Sequence, residues 1–320
     1  MKSNIILGVT TDPFREDIVD RYERGFHIVE IRLSEPLLVG HTIEFSKELA
    51  RVIDEYDMEV SSIHVPEFRA NGIPVDFASL DEENRMTSMK LVNQTIDLAN
   101  DIPTRRVVLT LPPFLKSQIF ETDRIKESLK LARYRCFEQL NTYVERTETG
   151  GISLCVKNPP PIISKTPEED YYAVSGGTPE AIFNLIRKLD GYRVWIALDI
   201  ANAHLFSNAM IQAYWPDNNI RTSMAWIKEL EFQPLKNLAE SIRMISDHIE
   251  ILYLNNARGL TERGLLPTKG EIEFTTLFKE LTDLIFPERP IIIDVEEKEK
   301  EKAINAEITH SYIKNQLIRL

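Results

Sequence analysis

The chain has 320 residues, 43% of them hydrophobic, which is enough to bury one large core and predicts a single domain over residues 1–320. Its formal net charge is −12, from 50 acidic and 38 basic residues, and this balance argues against a protein that binds the nucleic-acid backbone. The two cysteines have no zinc-site spacing, no apolar run approaches the ~18 residues that span a bilayer, and no signal-peptide pattern follows Met1, so we expect a soluble cytoplasmic protein.

Eight apolar, strand-like runs recur along the chain, and a helical pattern follows each of them. The predicted strands are Ile5–Thr10, His27–Leu33, Glu59–His64, Arg106–Leu111, Ile152–Lys157, Val194–Asp199, Glu250–Leu254 and Pro290–Glu296. The predicted helices include Glu82–Ala99, Asp123–Glu145, Pro179–Leu189 with Thr178 as its N-cap, Pro234–Ser246, Phe274–Ile285 and Lys298–Leu317.

This alternation predicts an α/β protein built as a single (β/α)₈ barrel. The alternative is a doubly wound open sheet, which would normally place a glycine-rich phosphate turn after the first strand. The residues at that turn are Thr10 to Phe14, with no GxGxxG pattern. A long loop, residues 159–177, has the length of a lid or a subunit contact.

Polar side chains stand at the C-terminal ends of the strand-like runs, where α/β barrels carry their active sites. The matching pieces are Val29-Glu30-Ile31, Ser62-Ile63-His64, Leu198-Asp199, Gly270-Glu-Ile-Glu-Phe274 and the final Asp294. In their order and spacing they resemble the xylose isomerase-like TIM barrels, a superfamily of sugar-phosphate isomerases, epimerases and endonuclease IV. The resemblance implies one to three divalent ions, held by histidines and carboxylates at the strand ends, and a homo-oligomer.

The chain departs from the family pattern at four strand ends. Lys157 stands where the family commonly has a glutamate, Asn202 where a histidine is usual, and Thr110 where strand four has a histidine. Strand seven has Tyr253-Leu-Asn-Asn256 in place of His-x-x-Asp. The residues that match form the candidate metal site, which would hold one Mg²⁺, Mn²⁺ or Zn²⁺ ion, or none: Glu30, His64, Asp199 and Asp294.

Lys157 offers an alternative to a metal ion for neutralising the carboxylates at the strand ends. A lysine pointing into a ring of Glu30, Asp199 and Asp294 would place a fixed positive charge where the family places metal, since unpaired buried carboxylates are costly. These four residues are the candidate catalytic set. Lys157 would act as an acid/base, a Schiff-base nucleophile or an electrostatic clamp, and the alternative is a salt bridge that only stabilises the barrel mouth.

Further polar residues near the strand ends are candidates for binding substrate. They are His64, Asn158, Asn202, His204, Tyr253, Asn256 and Arg258, with His204 placed in the loop after strand six. Four basic residues would hold a phosphate or carboxylate if they gathered at the mouth, and would otherwise be solvated: Arg32, Arg258, Arg263 and Lys269.

These residues are compatible with three alternative functions. The first is a sugar or sugar-phosphate isomerase or epimerase that acts on or binds a small polyol, with Lys157 partly replacing the metal. The second is a non-catalytic barrel that binds a sugar or scaffolds a partner. The third is endonuclease IV-like DNA repair, which ranks lowest because the chain lacks the full histidine set and shows no basic groove.

Overall fold

The computed structural model describes residues 6–40, 43–116, 118–119, 123–166, 169–214, 237–281, 289–299 and 302–319. Its strands, in chain order, are β1 (Ile6–Thr11), β2 (Ile28–Arg32), β3 (Glu59–His64), β4 (Arg106–Thr110), β5 (Phe114–Lys116), β6 (Ser153–Lys157), β7 (Ile162–Thr166), β8 (Glu169–Ala173), β9 (Val194–Asp199), β10 (Ile249–Leu254), β11 (Asn256–Arg258), β12 (Glu262–Leu265) and β13 (Pro290–Ile293).

Eight of these strands close into a barrel, in the order β1-β2-β3-β4-β6-β9-β10-β13. Every neighbouring pair is parallel, including the closing pair, in which Leu7 lies opposite Ile291. All eight predicted strands are therefore barrel strands, and the (β/α)₈ prediction is confirmed. Parallel neighbours bring the C-terminal ends of the strands to one face of the barrel.

The described helices follow the strands. They are α1 (Arg15–Glu23), α2 (Glu35–Val39), α3 (Ile43–Glu55), α4 (Glu82–Asp101), α5 (Ile125–Thr149), α6 (Pro179–Ile186), α7 (Ile200–Tyr214), α8 (Leu238–Ile245), α9 (Phe274–Glu280) and α10 (Ile304–Arg319). None of the helices in the described ranges is both long and apolar enough to cross a bilayer. Residues 234–236 and 282–285 of the predicted helices lie outside the described residues.

Helix α6 begins as the sequence predicts, because the Thr178 hydroxyl accepts the N–H of Ala181 at 3.1 Å. Two helix predictions, for the segments that form α7 and the start of α10, were wrong. The segment after β9 was expected to be a loop carrying His204, but α7 starts directly at Ile200. The cause is Asp199, whose Oδ1 accepts the N–H of Asn202 at 3.0 Å and so caps the first turn.

Helix α10 begins at Ile304 rather than at Lys298. The carboxylate of Glu297 accepts the N–H groups of Asn305 and Ala306, each at 2.8 Å. This carboxylate satisfies donors that the first turn of a helix leaves without a partner. The described part of the charged run from Glu296 to Lys302 therefore precedes the helix instead of forming its first turns.

Alternating side chains divide the barrel strands between two cores. One small cluster fills the barrel interior with Val108, Cys155, Ala197, Ile251, Tyr253 and Ile292. The intervening residues, such as Leu154, Val156 and Leu252, belong to the larger core that also includes residues of the surrounding helices. Since side chains alternate along a strand, the residue two positions beyond each interior residue also points into the barrel.

Two smaller sheets accompany the barrel. Strands β5, β8 and β7 form an antiparallel sheet, so the loop predicted over residues 159–177 contains a hairpin. Strands β11 and β12 form a second hairpin after β10, with Asn256 opposite Leu265. This second hairpin carries Arg263, which is used in the site below.

Candidate functional site at the barrel mouth

Lys157 lies at the centre of a cluster of charges at the C-terminal ends of the barrel strands. Its side chain is 0% exposed, and its Nζ lies 3.2 Å from Glu67 Oε1, 3.3 Å from Asp199 Oδ2 and 3.5 Å from Asp294 Oδ2. The ammonium also lies 4.4 Å from the centre of the Tyr253 ring, a cation–π distance. The predicted approach of Lys157 to Asp199 and Asp294 is therefore present in the structure.

The alternation of the strands explains this convergence. Lys157 stands two residues after Cys155, Asp199 two after Ala197, and Asp294 two after Ile292. Each of those preceding residues belongs to the interior cluster, so each polar side chain continues an inward-facing row at the barrel mouth. The parallel register, which pairs Tyr253 with Asp199, then sets the aromatic ring beside the ammonium.

Glu67 is the member of the cluster that sequence reasoning missed. It follows β3 by three residues, and its Oε1 accepts hydrogen bonds from Lys157 Nζ at 3.2 Å and from Thr110 Oγ1 at 3.3 Å. Its Oε2 accepts a bond of 2.8 Å from Arg263 Nη2. Because Glu67 lies outside any strand, strand alternation does not predict its direction. The available signal was a carboxylate soon after a barrel strand end.

Two arginines extend the cluster outward. Arg32 Nη2 donates to Asp294 Oδ2 at 2.6 Å, and Arg263 binds Glu67 as described. Cations and carboxylates thus alternate from Arg32 through Asp294, Lys157 and Glu67 to Arg263. A cleft of about 280 Å³ opens above them, lined by Arg32, Glu67, Asp199, Asn255, Arg263, Gly264, Asp294, Val295 and Glu296.

The opposite charges keep both kinds of group ionised. Burial raises the pKa of Glu67, but Arg263 and Lys157 outweigh it and hold that pKa well below its ordinary value. Burial opposes ionisation of Asp294 as well, and Arg32 and Lys157 still lower its pKa. For Lys157, burial lowers the pKa and the three carboxylates raise it, with a net upward result. The lysine is therefore an ammonium at neutral pH.

Glu30 occupies a separate place beneath this cluster. It is 0% exposed, and its Oε2 accepts hydrogen bonds from Ser62 Oγ at 2.8 Å and from the Tyr253 hydroxyl. Arg32 Nε lies 3.7 Å from the other oxygen. Burial raises the pKa of Glu30 above its ordinary value, although the Arg32 charge and the Tyr253 hydroxyl oppose the rise. Glu30 contacts Tyr253 rather than Lys157.

His64 is buried in its neutral form. Burial, and then the Lys157 charge, lower its pKa to about 3. Nδ1 lies 2.6 Å from the carbonyl oxygen of Val65, which makes Nδ1 the protonated nitrogen, because a carbonyl only accepts. Nε2 is buried, has no hydrogen-bond partner among the described residues, and lies 3.8 Å from Glu67 Oε1.

The three predicted substrate-binding asparagines hold backbone groups together. Asn158 donates to the Asp199 carbonyl at 3.0 Å and accepts the Asp199 N–H at 2.7 Å. Asn202 donates to the Asn158 carbonyl at 2.9 Å. Asn256 donates to the carbonyls of Pro267 and Ile272, at 2.7 and 3.1 Å. Asn158 and Asn202 thereby position Asp199, whereas Asn256 holds the loop that follows β12.

His204 and Arg258 lie apart from the Lys157 cluster. His204 lies on α7, and its Nε2 is 3.1 Å from Glu271 Oε2. Arg258 is exposed and pairs with Glu262 at 2.8 Å. Neither residue lines the cleft. Of the four basic residues that the sequence offers for an anion site, Arg32 and Arg263 line the cleft, and Arg258 and Lys269 do not.

The donor set does not fit a divalent ion in this arrangement. Among the described residues, no three His, Cys, Asp or Glu side chains come together in a way that could hold a metal. The predicted ligands Asp199 and Asp294 both face the Lys157 ammonium, whereas Glu30 binds Tyr253 and His64 faces Glu67. A protonated lysine repels a dication from the place where these carboxylates converge.

Comparisons with known proteins place this geometry in context. The sequence model of a family described as xylose isomerase-like TIM barrel matches residues 22–314. Similar solved structures include a D-tagatose 3-epimerase-like protein, with 18% identity, TM-score 0.67, and coverage of 98% of this chain and 99% of the other. A 3-keto-D-glucoside 4-epimerase from E. coli shares 14% identity, with TM-score 0.64 and coverage of 98% and 100%.

A xylose isomerase domain protein from Planctomyces limnophilus shares 13% identity, with TM-score 0.63 and coverage of 100% of both chains. No curated protein sequence matches the chain. At these identities the structural likeness establishes the fold, and the chemistry must be argued from the residues at the mouth.

Proposed function

Because the chain belongs to the xylose isomerase-like TIM barrel family, we propose that it binds a small sugar or polyol at the barrel mouth and acts on it as an isomerase or epimerase. The observation that carries the proposal is the cleft of about 280 Å³ over the alternating charges around Lys157. Its volume lies near the lower end of the ~300–1,000 Å³ range of small-molecule pockets. Similar structures include a D-tagatose 3-epimerase-like protein, a 3-keto-D-glucoside 4-epimerase and an L-ribulose 3-epimerase, which supports a sugar as the ligand.

Isomerisation or epimerisation beside a carbonyl needs a base for the carbon-bound proton and positive charge for the enediolate that forms. Asp199 and Asp294 line the cleft and are the candidate bases, and Asp294 stays ionised because Arg32 and Lys157 lower its pKa. The guanidinium groups of Arg32 and Arg263 line the same cleft and supply positive charge to an oxygen of the substrate.

Lys157 acts as a positioning residue in this proposal. It is fully buried and does not line the cleft, so it holds three carboxylates in place and supplies part of the charge that a metal supplies in the family. An ammonium that stays protonated is a poor Schiff-base nucleophile, which favours the electrostatic role over covalent catalysis. Glu30 positions the Tyr253 ring beneath the ammonium.

The test is exchange of substrate hydrogen in D₂O, followed by NMR on a panel of aldoses, ketoses and their phosphate esters. We expect chelator-treated protein to exchange the hydrogen next to the carbonyl of one panel member. Asp294→Asn should lower the rate by at least ~10²-fold, the scale of a lost general base. Glu262→Gln, at an exposed carboxylate outside the cleft, is the matched control and should retain the rate.

A non-catalytic sugar-binding barrel is the second candidate, favoured by the full internal pairing of Lys157 with carboxylates. Saturable binding of a panel member without exchange would support this candidate and overturn the enzymatic proposal. Exchange that disappears on chelation and returns only with added Mn²⁺ or Mg²⁺ would overturn the role given to Lys157.

A further inference from the structure

The charges around the cleft indicate which class of sugar it accepts. We propose that the ligand is an uncharged polyhydroxy compound of monosaccharide size rather than a phosphate ester; this inference rests on the proposed function. Among the residues that the structure describes, four carboxylates and two guanidinium groups line the cleft, and with the Lys157 ammonium beneath them their formal charges sum to −1. The sequence alone left both sugars and sugar phosphates open as ligands.

Each of the two arginines at the cleft already binds a carboxylate. Arg32 Nη2 binds Asp294 at 2.6 Å and Arg263 Nη2 binds Glu67 at 2.8 Å. A phosphate that took either guanidinium would deprive a carboxylate of a cation that keeps its pKa low. Removing one member of such a pair leaves a poorly solvated charge, which is costly.

Two further hydrogen-bond donors in the described part of the lining already have acceptors within the protein. The Gly264 N–H donates a hydrogen bond to Asn255 Oδ1 at 3.3 Å, and Asn255 Nδ2 donates one to Asp199 Oδ1 at 3.3 Å. Glu296 adds an exposed carboxylate to the lining. Together with the net charge of −12, this carboxylate makes the approach of an anion unfavourable.

Neutral hydroxyl groups match the same lining without displacing any ion. A hydroxyl donates one hydrogen bond and accepts others, so it can donate to a carboxylate while accepting from a neighbouring guanidinium. Along the cluster, cationic nitrogens and carboxylate oxygens alternate at separations of 2.6–3.5 Å. Adjacent hydroxyls of a sugar can therefore form charge-assisted hydrogen bonds with Asp199 or Glu67 and with Arg263.

The experiment compares matched neutral and phosphorylated probes by isothermal titration calorimetry and saturation-transfer NMR. The pairs are D-fructose with D-fructose 6-phosphate and D-ribulose with D-ribulose 5-phosphate, with xylitol and inorganic phosphate as single probes. We expect a neutral member to bind at least ten times more tightly than its ester, and inorganic phosphate not to compete with it.

A charge variant sharpens the comparison. Glu296→Gln removes one carboxylate from the lining and should narrow the neutral-to-ester affinity ratio at low salt, whereas Glu262→Gln, outside the cleft, should leave it unchanged. An ester that binds as tightly as its neutral partner, and is displaced by inorganic phosphate, would overturn the inference but leave the proposed function standing. Binding of none of the probes would overturn both.

Discussion

Glu67 and Asp76 are two carboxylates on the segment after β3 whose pKa values are shifted in opposite directions. Glu67 meets Lys157 at 3.2 Å and Arg263 at 2.8 Å, and its pKa is held well below the ordinary value. Asp76 is 1% exposed and accepts the N–H groups of Ala78 at 2.8 Å and Phe114 at 3.0 Å. Burial raises the pKa of Asp76 to about 7, against these two hydrogen bonds and the more distant Arg135.

The contrast shows that burial alone does not decide the charge of a carboxyl group in this protein. Backbone N–H groups satisfy Asp76 as a hydrogen-bond acceptor, but they leave much of the desolvation cost of its charge uncompensated. For Glu67, by contrast, cations in direct contact compensate the desolvation cost of its own charge. The barrel mouth is therefore a place that holds permanent charges, whereas Asp76 is a titratable tether between the segment after β3 and strand β5.

The largest expected effect comes from removing the cation at the centre of the mouth. Lys157→Met keeps the length of the side chain but leaves Glu67, Asp199 and Asp294 without their shared ammonium. Breaking a buried charge network by removing one partner costs about 3–5 kcal/mol, which we expect to find in the free energy of unfolding from urea denaturation. Lys47→Met, at an exposed lysine, is the control. A loss below about 1 kcal/mol would contradict the account of the cluster.

The raised pKa of Asp76 predicts a dependence of folding stability on pH that is opposite in sign to that of Glu67 and Asp294 at the barrel mouth. Between about pH 4 and pH 7, native Asp76 binds a proton more tightly than the unfolded chain does, so its contribution to stability falls as the pH rises through that window. The shift of about three units corresponds to at most about 4 kcal/mol. Glu67 and Asp294, with lowered pKa values, contribute stability that is lost only at more acidic pH.

Asp76→Asn removes this titration with little change of shape. Thermal unfolding from pH 4 to pH 8 should show the variant gaining stability relative to the wild type as the pH rises, with the difference levelling off above about pH 7. Parallel curves for the two proteins across this window would show that Asp76 titrates outside it.

A smaller effect is expected at the edge of the mouth. Arg263→Gln removes one of the two cations bound to Glu67, and its side chain is 28% exposed, so solvent replaces part of the lost interaction. We expect a loss of about 1–2 kcal/mol in the free energy of unfolding and a rise in the pKa of Glu67, measured by NMR titration. Arg258→Gln, at an exposed ion pair, should change stability by less than about 0.5 kcal/mol. Equal effects of the two variants would contradict the distinction between mouth and surface.

Much of the fold was predictable because eight apolar runs alternate with helical patterns along the chain. The apolar runs predicted all eight barrel strands, and the two-residue alternation places Lys157, Asp199 and Asp294 on the inward face. The hairpin within residues 162–173 was missed because its two strands pair with each other and with β5, outside the barrel repeat. Helix α7 was missed because its N-cap is also the last residue of β9.

The sequence by itself determined the barrel and the face on which its polar strand ends meet, because apolar runs and helical periodicity are local properties of the chain. The placement of Lys157 among carboxylates was a hypothesis that came from the family resemblance. Only the tertiary structure decided that Glu67 completes the ion cluster, that Glu30 turns to Tyr253, and that three asparagines bind backbone groups. These are contacts between side chains and groups brought together by the fold from distant segments or irregular loops, where no sequence period predicts direction.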